Sequence, residues 1–293
     1  MAAASTLAAL RHRIAAIERP PLELPRARAD TASILPFGIR AIDGVFAGGG
    51  LPCGGSHQIA TEQGIETAPA FAFALSLLSL RLKQQPAGHA LLLQEAMAIH
   101  EGGQIYAPGL LAFGIDPDRI VSVCVRGSAD ALQVVDDALK SATLTAVIAE
   151  LWAGDQLLDL SATRRFNMAA EKSQTLALLV TRDLSGTSAA LTRWLAGYAP
   201  SVEPRRQFVG RPAFSLELVR NRFGRTGEWT LEWDCHERAF CVTTALSQLA
   251  SRPSFDRSHP PRTAQATRRR EHGEPSPLGD RRQAGERHSA ARG

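Results

Sequence analysis

The strongest constraint on the fold of this chain is a set of five short apolar runs. They are "HQIA" (57–60), "ALLLQ" (90–94), "IVSVCV" (120–125), "AVIAE" (146–150) and "LALLVT" (176–181). Helical periodicity fills the gaps at 68–83, 129–141 and 161–172. Apolar strands separated by helices predict an α/β domain with a mainly parallel central sheet, covered by helices on both faces. The 68–83 stretch is apolar almost all round, so a buried helix is expected there. Thr67 stands where its N-cap belongs, and Pro69 suits its first turn.

Beyond residue 212 the pattern changes to alternation. "FSLELVRN" and "EWTLEWD" flank the glycine-containing "RFGRTG", which predicts an antiparallel hairpin extending the sheet, and "AFCVTT" offers a third strand. Periodicity ends near Ala250. The segment that follows is rich in Arg, Pro, Ser and Gly, a composition expected to be disordered. At the other end, Leu7, Leu10, Ile14 and Ile17 recur at helical spacing until Pro20 and Pro21. A lone helix of this length is marginal in water, so it needs a surface, either its own domain or a neighbouring subunit. Three parts follow: an amphipathic helix and linker (1–30), an α/β domain (31–248) and an Arg-rich tail (249–293).

The tail also explains the charge. Residues 251–293 hold ten arginines against five acids, whereas the whole chain carries a formal net charge of only +4. The rest is therefore close to neutral, and the basic balance does not imply a basic face on the folded part. Arg268, Arg269, Arg270, Arg281 and Arg282 form the two clusters able to neutralise phosphates without reading sequence, or to engage an acidic protein.

Several function classes are disfavoured. No apolar run is long enough for a membrane span. Cys53, Cys124, Cys235 and Cys241 are few and scattered, as in a reducing cytoplasm. Cys235, His236 and Cys241 lack a second ligand pair at zinc spacing, so no metal is expected. No Ser/His/Asp set is legible, and His57, His89 and His100 have no nucleophile or ligand partner in any readable pattern. No catalytic residue is assigned.

The stretch "ATEQGIETAPAF" (60–71) occupies the strand-to-helix turn where a phosphate loop would lie. Such a loop needs glycines for backbone N–H groups to surround phosphate, a lysine for the β and γ charges and a hydroxyl for Mg²⁺. Here Gly64 is the one glycine, Glu66 and Thr67 stand about where Gly and Lys belong, and Ala68 about where the hydroxyl belongs. The chain's three lysines, Lys83, Lys140 and Lys172, are all elsewhere, and Arg81 is too far along the helix to substitute. Glu62 and Glu66 would face a triphosphate with like charge.

"FGIRAIDGVFAGGGLPCGGSHQI", "LLLQEAMAIHEGGQIYAPGLLAFGIDPDRIVSV" and "DALQVVDDALKSATLTAVIAELWAG" together resemble RecA-type recombinases, in the right order over residues 33–182. With "ATRRFNMAAEKSQTLALLVTR" and "ELVRNRFGRTGEWTLEWD" the chain is identified as a member of the ImuA family, RecA-like proteins of bacterial SOS mutagenesis cassettes. The resemblance implies a RecA-like fold with a degenerate nucleotide loop. It places Glu95 where such ATPases polarise water and Glu150 near the Walker B acid. Gly64, Glu66, Thr67, Glu95 and Glu150 are thus the candidate nucleotide residues, with no bound cofactor expected and ATP hydrolysis disfavoured.

It also implies a non-catalytic place in a translesion mutasome, in the bacterial cytoplasm and at the nucleoid when active. The partners would be an ImuB-like Y-family protein and an error-prone C-family DNA polymerase. Contact with RecA or with a second copy would run through the N-terminal helix, and contact with DNA through the tail. Where RecA-type recombinases carry two DNA-binding loops, only "ELWAGDQLLDLSATRRFNM" and "TRDLSGTSAALTRWLAG" stand, both short, so RecA-like filament formation on DNA is not expected. Arg164, Arg165, Arg182 and Arg193 could contact phosphates there, and Phe166 and Trp194 are the nearby aromatics, for which core packing is expected. Two alternatives remain open: a DNA-stimulated RecA-fold ATPase, and a SulA-like inhibitor of cell division.

Overall fold

The computed structural model describes residues 33–61, 67–152, 158–201 and 210–242. The N-terminal segment (Leu7, Leu10, Ile14, Ile17) and the arginine clusters at 268–270 and 281–282 lie outside the described residues, as do Gly64 and Glu66.

The described strands are β1 (Ile34–Leu35), β2 (Leu51–Pro52), β3 (Gly55–Ala60), β4 (Ala90–Glu95), β5 (Ile120–Val125), β6 (Ala146–Glu150), β7 (Leu176–Val180), β8 (Thr192–Tyr198), β9 (Ala213–Asn221), β10 (Gly227–Asp234) and β11 (Ala239–Val242). The helices are α1 (Arg40–Asp43), α2 (Ala68–Gln84), α3 (Ala96–Gly102), α4 (Ala107–Ala112), α5 (Ser128–Ser141) and α6 (Leu160–Ser173). Nine strands make one sheet in the order β11-β10-β9-β8-β3-β7-β6-β4-β5, and β1 and β2 make a small antiparallel pair. From β8 to β5 all neighbours are parallel, while β8–β9, β9–β10 and β10–β11 are antiparallel. The fold is thus a mixed α/β domain with a large, mostly parallel sheet flanked by helices.

The apolar runs fold as their patterns require. β3, β4, β6 and β7 are buried along their whole length. One face carries α2, whose Phe73, Ala74, Leu77 and Leu78 join the larger core, and the other face carries α5 and α6. The hairpin is β9–β10, and its inward residues Phe214, Leu216, Leu218, Leu231 and Trp233 complete the α2-side core. An aromatic cluster sits at this junction, with Trp194 packed against Phe37, Phe46, Phe73 and Trp229 at ring separations of 5.5–6.3 Å. Truncating a fully buried ring of this kind costs about 3–5 kcal/mol.

Two expectations need correction. The segment "TRDLSGTSAALTRWLAG" does not form a loop throughout, because its last six residues belong to β8, in the middle of the sheet beside β3. Alternating burial makes it a strand: Thr192, Trp194 and Ala196 point into the core, and Arg193 and Leu195 are half-buried. β5 is not covered on both faces but forms an edge of the sheet, half exposed. The 96–112 connection holds two short helices, α3 and α4.

At the centre of the sheet His57 is fully buried. Its Nε2 is 2.8 Å from the Pro52 carbonyl, which can only accept, so Nε2 carries the proton. Nδ1 then accepts from the Thr192 hydroxyl at 2.8 Å, and Thr192 Oγ1 accepts from Trp194 Nε1 at 2.8 Å. Burial drives the imidazole pKa down to about 4, against the opposing Pro52 contact. His57 is a satisfied core histidine.

Candidate functional site

Parallel α/β sheets present ligands at the carboxyl ends of their strands. Here that edge gathers the end of β4, the end of β6 and the start of α2. Register pairs Gln94 with Glu150 on neighbouring strands, and Glu95 follows Gln94 on the opposite face of β4. Both carboxylates are buried, each 4% exposed.

Each is held by protein groups. Thr67 Oγ1 donates to Glu150 Oε1 at 2.5 Å, and Gln94 Nε2 donates to Glu150 Oε2 at 2.7 Å. Gln94 Oε1 in turn accepts from the Ile105 amide at 3.1 Å, and Gln94 Nε2 also lies 3.3 Å from the Gly103 carbonyl. One chain of contacts therefore ties α2, β6, β4 and the turn after α3. Glu95 Oε2 accepts from Ser128 Oγ, the first residue of α5, at 2.8 Å. Nearby, the Thr61 hydroxyl is buried without a hydrogen-bond partner at the end of β3.

Thr67 is the residue whose local role differs from expectation. It stands at the N-cap of α2, with Pro69 in the first turn, but its backbone is already helical and its side chain makes no cap bond. The hydroxyl instead crosses to Glu150, 83 residues away in sequence. In P-loop enzymes a loop hydroxyl and a Walker B acid hold Mg²⁺ between them. In this chain Ala68 stands about where that hydroxyl would be, and the Thr67 hydroxyl, one position earlier, bonds the Glu150 carboxylate directly.

Among the described residues, no lysine lies at the carboxyl edge. Lys83 donates to the Glu237 carbonyl at 2.9 Å, Lys140 pairs with Asp136 at 2.5 Å, and Lys172 is exposed on α6. Arg81 is only 2% exposed and sits at the opposite edge of the sheet. There it contacts the Gln174 carbonyl ahead of β7 and lines a cleft of about 260 Å³ with Gln85, Thr145 and Ser173. It therefore cannot serve the carboxyl edge. Among the described residues no group of three or more His, Cys, Asp and Glu side chains is placed to hold a metal ion, and no helix is long and apolar enough to cross a membrane.

The residues considered for DNA contact are mostly engaged otherwise. Trp194 and Phe166 are fully buried. Arg165 is 3.3 Å from Asp136, and Arg193 donates to Gln58 Oε1 and the Leu184 carbonyl. Arg164 is exposed on α6. Arg182 lies 4.6 Å from the ring centroid of Trp152, a half-buried aromatic that spacing did not single out, although it directly follows the β6 strand. Gln94 was missed as well. Its signal was the polar residue that ends an otherwise apolar strand one position before Glu95.

No family model matches the chain. Two curated proteins do: "Protein ImuA" from two strains of Caulobacter vibrioides, each 33% identical over 213 residues, which is 68% of this chain and 83% of the relative. At that identity and coverage, the chain belongs to the ImuA family.

Proposed function

We propose that this protein is a non-catalytic accessory factor of bacterial SOS mutagenesis, with a RecA-like fold kept as a binding surface rather than an ATPase. Its partners would be an ImuB-like Y-family protein and an error-prone C-family polymerase, joined in a mutasome that copies past lesions. The observation that carries this reading is the Thr67–Glu150–Gln94 chain of hydrogen bonds. It supports the reading because it ties up Glu150, the acid near the Walker B position, through protein groups, with no lysine at that edge among the described residues. Membership of the ImuA family supports the cellular context.

The N-terminal amphipathic segment and the arginine clusters of the tail are the contact segments we favour, the first for protein and the second for DNA or an acidic partner. The test is co-purification of the full chain with an ImuB-like protein and the polymerase, alongside a hydrolysis assay with single-stranded DNA. We expect a stable complex and no DNA-stimulated turnover. Turnover that is lost in Glu95→Gln would establish the ATPase alternative instead.

A further inference from the structure

The 96–112 connection leaves β4 at the carboxyl edge with little to hold it down. Its helices α3 and α4 are seven and six residues long, too short to be stable by themselves. Ala98 and Leu110 are its buried side chains, whereas Met97, Tyr106 and Leu111 are exposed. The turn between the helices holds Gly103 at φ 91° and ψ 162°, a conformation open to glycine almost alone. Beyond bonds within its own turns, the described residues return this segment to the sheet by hydrogen bonds from one side chain. Gln94 Nε2 lies 3.3 Å from the Gly103 carbonyl, and Gln94 Oε1 accepts from the Ile105 amide at 3.1 Å. Few buried contacts and few anchoring bonds mark a unit that opens at less than the cost of global unfolding.

We infer that residues 96–112 form a strap that opens locally at the carboxyl edge, with the Gln94 carboxamide as its catch and the Thr67–Glu150 pair setting that catch. The orientation of the amide follows from its partners. The Ile105 N–H can only donate, so Oε1 must face it, which leaves Nε2 for the Glu150 carboxylate at 2.7 Å and for the Gly103 carbonyl. Flipped, the same amide would set its oxygen against acceptors and its N–H against a donor. The closed strap therefore requires Glu150 to accept at Oε2, while Thr67 holds that carboxylate through Oε1. Opening admits water to Gln94 and Glu150, both buried when the strap is closed. A carboxylate deprived of its Thr67 donor gains more from that water than a fully bonded one, so its loss favours the open form. A change at the start of α2 is thus felt at Ile105, although no hydrogen bond among the described residues joins Thr67 to the strap. The inference is independent of the mutasome reading.

The test is hydrogen exchange of the full-length protein, read by mass spectrometry in peptides spanning Ile105 and in peptides from β4. In the wild type the strap should exchange at least about tenfold faster than β4, because it opens without the sheet. Gln94→Met keeps the length of the side chain and removes both anchoring bonds, and should speed exchange at Ile105 about tenfold further. Thr67→Val should speed it about two- to tenfold. Combining the two should give no more than Gln94→Met alone, since the route from Thr67 to the strap runs through that amide. Gly103→Ala leaves the buried acid and its donors in place, so it opens the strap even where Gln94→Met does not fold; it too should speed exchange about tenfold. Strap peptides as slow as β4 in the wild type overturn the inference. So does a strap unmoved by Gln94→Met, Gly103→Ala or Thr67→Val, and so does a double variant in which the two effects multiply in full.

Discussion

The buried ionisable groups at the two edges of the parallel sheet differ in kind. At the carboxyl edge stand the buried acids Glu95 and Glu150; at the amino edge stand the guanidiniums of Arg81 and Arg119. Arg119 donates to the Gly88 carbonyl from Nε at 2.8 Å, to the Gln85 carbonyl from Nη2 at 2.6 Å and to the Leu82 carbonyl from Nη1 at 3.3 Å. It therefore closes the carboxyl end of α2, where helix carbonyls lack partners and cations are favoured. A nucleotide-binding sheet needs cations at the carboxyl edge instead. Among the described residues, these charges serve the backbone and neighbouring side chains at both edges.

The largest effect that would test the contrast is removal of the amino-edge cation. Arg119→Ala should cost about 3 kcal/mol in urea unfolding, since several carbonyls lose a charged donor at once. A loss below about 0.5 kcal/mol would mean that solvent serves those carbonyls equally well.

Acid titration probes the sheet between the edges. His57 is neutral in the fold, with a pKa of about 4 against an ordinary 6.5. The unfolded chain takes up its proton as pH falls through 6.5, while the folded chain does not until about 4. Stability contributed by this group is therefore complete above pH 6.5 and is lost progressively between 6.5 and 4, by up to about 3 kcal/mol. His57→Gln should flatten that part of the stability–pH curve.

At the carboxyl edge, Thr67→Val should cost about 1–2 kcal/mol, because it leaves a buried Glu150 oxygen without its donor. ATP with Mg²⁺ should shift the melting temperature of neither form. A shift in the wild type that disappears in Thr67→Val would convert the latch back into a ligand site.

The smallest effect is on thiol labelling, where stability is not perturbed at all. Cys124 is exposed on the edge strand and should react first with a maleimide, whereas Cys53 should resist until unfolding. Burial pushes the Cys53 thiol up to about 11, with Arg81 beside it opposing that shift only in part.

Much of the fold was legible because four of the strands are continuous apolar runs that only a covered sheet can absorb. β8 was not, since Arg193 and Gly197 break its apolar character and its inward residues are read only once the core is known. The edge position of β5 was hidden for a different reason: periodicity cannot separate a half-covered strand from a central one. At the site, the acids at the ends of β4 and β6 were legible from their strand-end positions together with the RecA-type resemblance. Their partners were not, because Thr67 and Ser128 reach them from helices that only tertiary packing brings close.

The hairpin tip is fastened to the first described segment. Asn221 Nδ2 donates to the Val45 carbonyl across 176 residues, Phe46 bridges to Gly224, and a Cβ at Gly224 would sit 2.0 Å from that same carbonyl. On the ribosome, then, residues 37–46 have no finished partner until the strand beginning at Gly227 has been synthesised. The aromatic core must wait, open to water and to other chains, for almost the whole domain to emerge. That delay makes early chaperone contact an expected part of producing this protein, and makes Gly224 a position where a side chain would act on the yield of folded protein.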